Sequence, residues 1–287
     1  MKVPVSILVP IKNEAANLPR CLASISWADE IFVVDSQSTD GSQALAAQFG
    51  ADIVQFQFNG TWPKKRNWAL GNLSFSNEWV LILDADEELP PEAREEIEEI
   101  CTANSRGFDG YFINRRFMFM GKWLRHAYSP NWILRLFKHK LGRYQQMTAR
   151  DTGSGDHEIH EPLILQGRAG RMKAGMNHYA FPTVDVFVEK HTRYAGWEAA
   201  VALDYYQRLG LWGALTKPAS GGRERLRRLS YFLPFRPFFK FLYVYFFQLG
   251  FLDGPEGYYF ARLHAFYEFL SICKTHELKK KVLSGKR

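Results

Sequence analysis

The stretch VLILDADEELPPEA, Val80 to Ala93, sets Asp84, Asp86, Glu87 and Glu88 between an apolar run and two prolines. Asp84 and Asp86 are two residues apart, so on an extended strand end their carboxylates share a face and repel. A divalent cation shared with an anionic ligand removes that repulsion. Hard oxygen donors suit Mg2+ or Mn2+, and the phosphates of a nucleoside diphosphate complete the octahedron. Glu88, Glu92, Glu95 and Glu96 read differently, as acidic first turns of a helix opened by proline, where they complement its dipole.

A second group of proton-transfer residues lies in GDHEIHEPL. On a strand His157 and Glu161 share one face while Glu158 and His160 take the other, and any of them could accept a proton from an attacking hydroxyl. The two histidines are three apart, which is not the H-E-x-x-H spacing of a zinc protease. His178, in MNHYAF, stands alone among apolar and small residues. Such a histidine is ordinarily a packed structural residue. Cys21, Cys101 and Cys273 are odd in number and far apart, which argues against a disulfide framework or a cysteine zinc site and fits a reducing compartment. No glycine-rich dinucleotide or P-loop signature occurs, so phosphate must be held by other means.

These residues need a frame. The first part alternates VSILVPI, EIFVVDS, ADIVQF and WVLILD as strands with AANLPRCLASI and SQALAAQFG as helices. Continuous apolar strands in a βαβαβ order predict a Rossmann-like, mostly parallel sheet with helices on both faces. Right-handed crossovers bring the strand ends to one edge, where open α/β sheets bind ligands. From about Phe108 the pattern loosens into aromatic and basic segments that read as mixed β structure over that edge. After residue 182 the pattern is helical. The expected division is a catalytic domain over 1–182, with a nucleotide half 1–106 and an acceptor half 107–182, followed by a helical region 183–287.

With 287 residues, 46% of them hydrophobic and 23% charged, the chain is globular. Its net charge of +7 invites an anionic partner without naming it. The N-terminus lacks the cleavage pattern of a signal peptide, so export is not expected. SYFLPFRPFFKFLYVYFFQLGFLDG is the most aromatic stretch, yet Arg236 and Lys240 interrupt it and its longest apolar run is too short to span ~30 Å of hydrocarbon. Between RERLRR and KTHELKKK it reads as an element lying on an anionic membrane surface, with a buried aromatic helix as the alternative. A nucleic-acid-binding protein using those basic runs ranks last, because it leaves the ordered acidic motifs without a purpose.

Taken together, ILVPIKNEAANL, IFVVDSQSTDGS, FNGTWPKKRNWAL, WVLILDADEEL, the HE of IHEPL and NHYAFPTVDVFVEKHTRYA resemble the inverting glycosyltransferases of family 2, with the GT-A fold. The pattern is most similar to lipopolysaccharide-core β-glucosyltransferases and related non-processive surface-polysaccharide enzymes. The resemblance implies that Pro10, Asn13, Glu14, Asp35 and Asp40 line the nucleotide pocket, and that Asp84 faces the ribose or metal. It implies Asp86, completed by His178, as the metal site. Where many relatives have Gln-Lys-Asn this chain has Lys65-Arg66-Asn67, making Arg66 the basic contact. Glu161 is implied as general base, with His160 adjacent and Glu158 in reserve. The expected reaction moves one sugar, by resemblance from a UDP-sugar, to a hydroxyl of a lipid-linked or lipopolysaccharide-type glycan at the cytoplasmic membrane face. Transfer to a polyprenyl phosphate is the other enzymatic reading. Nucleic acid is not an expected partner.

Overall fold

A computed structural model of the chain describes residues 2–102, 107–146, 162–208, 210–216, 228–233 and 235–284. It divides into two compact units, one of Met1–Phe117 and Pro130–Ala180, the other of Met118–Ser129 and Phe181–Arg287.

In the first unit the alternation expected from sequence is present. Strands β1 (Val3–Ile11), β2 (Ala28–Asp35), β3 (Asp52–Gln55) and β4 (Trp79–Ile82) run parallel in the order β3-β2-β1-β4. Helices α1 (Leu18–Ile25) and α2 (Ser42–Gln48) make the crossovers, and α3 (Lys65–Asn72) precedes β4. β1 is apolar on both faces because both are covered. Val3, Val5, Ile7, Val9 and Ile11 pack with Leu18, Leu22 and Ile25 of α1, while Leu8 packs with Ala69 and Leu70 of α3. Helix α3 falls where the sequence reads as a polar edge loop; its Lys-Arg-Asn start hides a helix fixed by tertiary contacts.

Beyond β4 come β5 (Glu87–Glu88), α4 (Pro91–Thr102), β6 (Gly110–Phe119), β7 (Lys122–Trp123), β8 (Trp132–Lys138), β9 (Gly142–Tyr144), β10 (Leu163–Leu165) and β11 (Ala169–Phe181). β8 lies antiparallel beside β4 and β6, and β5 antiparallel beside β11, so the sheet continues β4-β8-β6-β11-β5. Glu87 and Glu88 thus belong to a short strand, ahead of the helix that the sequence assigns Glu88 to. Glu96 is also more than a dipole partner, since its carboxylate accepts the backbone N–H of Lys173 and Ala174 and ties α4 to β11.

The second unit holds α5 (Val184–Arg208), α6 (Gly210–Thr216), α7 (Arg236–Leu242), a π-turn (Tyr243–Phe247), a 3-10 turn (Gly250–Asp253) and α8 (Gly254–Ser284). Among the described residues no helix is long and apolar enough to cross a membrane. Asp253, 2% exposed, accepts the backbone N–H groups of Arg125, His126 and Ala127 and the ring of His126, which anchors the segment 118–129 to the start of α8.

Candidate active site

The loops following β1 and β2 are stitched into one wall. Asn13, at φ 56°, accepts the Thr39 N–H on its Oδ1 at 2.9 Å and donates its own backbone N–H to Ser38 Oγ. Its left-handed backbone is one that asparagine tolerates. The Glu14 N–H donates to Ser42 Oγ and the Ala15 N–H to Asp40 Oδ2. Burial opposes ionisation of Asp40, but bonds from Ser42 and Ala15 outweigh it and hold its carboxyl below the ordinary value. Pro10 sits at the end of β1 in register with Val34.

Asp35, fully buried at the end of β2, accepts from Ser38 N and Oγ on one side and from the Gln43 and Gln55 amides on the other. Both its oxygens are engaged within the protein, so in this geometry it shapes the turn. Lys65, 1% exposed, reaches across from α3 to donate to the Ile11 carbonyl at 2.6 Å. Asn67 exchanges two bonds with the Tyr144 backbone, fixing α3 against β9.

The geometry expected for Asp84 and Asp86 does not form. β4 ends at Ile82, and the Glu87 N–H donates to the Asp84 carbonyl in a turn, so the two carboxylates part instead of sharing a face. Asp84 is clasped by two guanidiniums, Arg66 Nη2 at 2.5 Å from Oδ1 and Arg135 on Oδ2. Burial favours its protonated form, but the Arg135 and Arg66 charges win and keep the carboxyl well below the usual carboxylate range. Arg135, 2% exposed on β8, also meets the fully buried Glu87 at 3.1 Å, and Glu87 accepts the Asp84 N–H.

Asp86 turns to His178 of β11, with Oδ1 3.6 Å from Nε2. His178 pairs in register with Glu87, packs edge-on against Phe117, and its buried Nδ1 has no hydrogen-bond partner. The Tyr179 N–H donates to the Asp86 carbonyl and holds the turn to the strand. Among the described residues no group of three or more His, Cys, Asp or Glu side chains converges as a metal cage. The Asp86–His178 pair nevertheless fits a cation of the Mg2+ or Mn2+ class, which is commonly held by one or two protein donors and takes its remaining ligands from phosphate and water.

Glu158, His160 and Glu161 lie outside the described residues. Sequence reading missed Arg135 and named Glu87 only as part of the acidic run, without the buried pairing it makes. Arg135 was findable: it is a single cation in the apolar strand WILRLFK before its terminal lysine, and a charge there requires a buried anion.

Residues 6–160 match the family described as "Glycosyl transferase family 2". The chain is 28% identical over 293 residues to the lipopolysaccharide core biosynthesis glycosyltransferase LpsC of Rhizobium meliloti, covering 96% of this chain and 93% of that one. It is 25% identical over 280 residues to an uncharacterized glycosyltransferase of Rickettsia prowazekii, covering 96% and 88%. The solved mannosyltransferase PcManGT of Pyrobaculum calidifontis, in complex with GDP-Man and Mn2+, is similar in fold with a TM-score of 0.51 at 17% identity, covering 96% and 87%. That likeness is of the GT-A type expected from the sequence. The parallel sheet, the stitched β1 and β2 loops and the family match over more than half the chain lead to one assignment: the protein belongs to glycosyl transferase family 2.

Proposed function

We propose that the chain is a metal-dependent inverting glycosyltransferase that moves one sugar from a UDP-linked donor to a hydroxyl of a lipid-linked or lipopolysaccharide-type glycan at the cytoplasmic membrane face. The observation that carries this reading is the Asp86–His178 pair at the sheet edge, beside an anchored Arg66. Asp86 and His178 would hold Mg2+ or Mn2+, which when bound neutralises charge on the departing diphosphate. Pro10, Asn13, Glu14, Asp35 and Asp40 form or shape the wall for the nucleoside. Lys65 fixes the β1 end that carries this wall, and Arg66 presents a cation toward the leaving group while Asp84 orients it. Glu161 takes the proton of the attacking hydroxyl as the sugar bond forms on the face opposite the leaving group, with His160 beside it and Glu158 as the other candidate. The name of the Rhizobium relative, lipopolysaccharide core biosynthesis, supports the acceptor class.

A second reading has its own support: over 123 residues the chain is 31% identical to an undecaprenyl-phosphate 4-deoxy-4-formamido-L-arabinose transferase of Aeromonas hydrophila, covering 39% of this chain and 37% of that one. A phosphate acceptor is already anionic and needs no strong base, so Glu161→Gln keeping full turnover would favour it. The first experiment is a thermal-shift panel of nucleotide sugars with and without Mn2+. One uridine sugar at a hundredfold excess over its Kd should raise Tm by roughly 5 °C only with the metal present. Asp86→Ala should remove that increment, and no response to any nucleotide sugar would sink the proposal.

A further inference from the structure

The segment 235–252 is built inside out for an element facing water. Helix α7 buries none of its residues, and from the π-turn and 3-10 turn only Val244, Gly250 and Asp253 are buried. The rings point outward: Phe235 and Phe247 are 78% and 79% exposed, and Phe238, Tyr243, Phe246 and Leu252 all exceed half. The basic residue at the head of α7 goes the other way. Arg236 is turned into the unit, where it meets Glu268 at 2.5 Å and Glu198 at 3.4 Å. A surface helix in water does the reverse, hiding its apolar side chains and hydrating its charges. Apolar rings this dense and contiguous mark an interaction surface.

Two bulky residues bracket the segment in left-handed backbone, Phe235 at φ 57° and Leu249 at φ 59°. Such conformations are costly for residues of this kind and persist where surrounding structure imposes them. They delimit the continuous helical run Arg236–Phe247 and set the 3-10 turn apart from it, with exposed apolar side chains on both sides of Leu249.

Charge selects the partner. From residue 225 to residue 252 the sequence has no Asp or Glu and five Lys or Arg. Residues 217–287 contain 14 Lys and Arg against 5 Asp and Glu, whereas residues 1–216 contain 23 against 25. The whole cationic excess of the chain therefore travels with the ring-bearing segment. A second copy meeting this face would bring like charge onto like. A bilayer of anionic lipid offers hydrocarbon for the rings, an interface for Tyr243, and phosphate for the cations.

We propose that residues 235–252 dock the protein on an anionic lipid surface, with Phe235, Phe238, Phe246 and Phe247 entering the headgroup–acyl boundary. The docking rests on this exposed surface and not on the donor chemistry, so vesicle binding is measured without any nucleotide sugar, and its failure leaves the transferase reading intact. The test is co-sedimentation of the full chain with phosphatidylcholine vesicles and with vesicles containing about 30% phosphatidylglycerol, at low and high salt. Wild type should partition onto the anionic vesicles and lose binding as salt rises. The double variant Phe238→Ser, Phe247→Ser should partition about tenfold less or worse, with an unchanged melting temperature because both side chains already face solvent. No binding to anionic vesicles, or equal binding to neutral ones, overturns the proposal. Sedimentation velocity is the second readout: a dimer that the same double variant dissociates would assign the face to a second copy of the chain instead.

Discussion

At the scale of single residues, the site separates two jobs that adjacent aspartates often share. Asp84 is committed to cations of the protein, and Asp86 faces His178. The difference follows from the turn between them, and it makes their substitutions distinguishable. Arg135→Met removes the main partner of fully buried Glu87, and breaking one side of a buried pair costs about 3–5 kcal/mol because the other charge is left uncompensated. Urea denaturation should show a loss of this size for Arg135→Met, whereas Asp86→Ala should hold its midpoint within experimental scatter. The resemblance groups Asp84, Asp86 and His178 at one site, and the structure sets the His178 ring beside Asp86. The sequence could not give their directions, because carboxylates two apart point together only if the chain stays extended, and the hydrogen bond from Glu87 to Asp84 that bends it is not encoded in spacing.

Among elements, those that depend on local pattern were legible and those that depend on partners were not. β1, β2 and β4 are continuous apolar runs, and nothing but a covered strand suits them. Helix α3 begins Lys-Arg-Asn and is held by Lys65 on Ile11 and Asn67 on Tyr144, contacts that no window of sequence contains. Helix α8 depends on a close approach of the same kind. At Gly257 an added Cβ would strike the Gly250 carbonyl of the 3-10 turn, a backbone atom that cannot swing aside. Helix propensity alone favours alanine over glycine by about 1 kcal/mol, while overpacking against fixed structure costs about 1–3 kcal/mol. The clash should win. Gly257→Ala is expected to lower Tm by a few degrees, whereas an Ala at Gly196 in α5, where only the far end of Lys274 approaches, should raise it slightly; differential scanning calorimetry of the two variants checks the sign.

For the molecule as a whole, the balance of buried titratable groups sets its tolerance of acid. Burial pushes His264 well below its ordinary 6.5 and lowers His191, which stacks on Phe187 at 3.7 Å and bonds to the Phe187 carbonyl. Lys240, Lys190 and the histidines themselves add repulsion to any proton that arrives. The folded protein therefore binds fewer protons than the unfolded chain once pH drops below 6.5, and stability falls from that point downward. Asp253 acts later. Burial opposes its charge, but bonds from Ala127, His126 and Arg125 outweigh it, so its contribution is full above its ordinary 3.8 and is lost on further acidification. Melting curves should show a decline that sets in below about pH 6.5 and that His264→Phe reduces, and a further loss below about pH 4 that it leaves unchanged.

The anchoring of residues 125–127 by Asp253 also governs how this chain can be shortened. A version ending near residue 182 would discard the acceptor of three backbone N–H groups while keeping the donors, which would exchange the carboxylate for water and lose the turn it imposes. The segment after β7 thus takes its shape from a residue far downstream, and a ribosome must pass Asp253 before that corner of the protein can set.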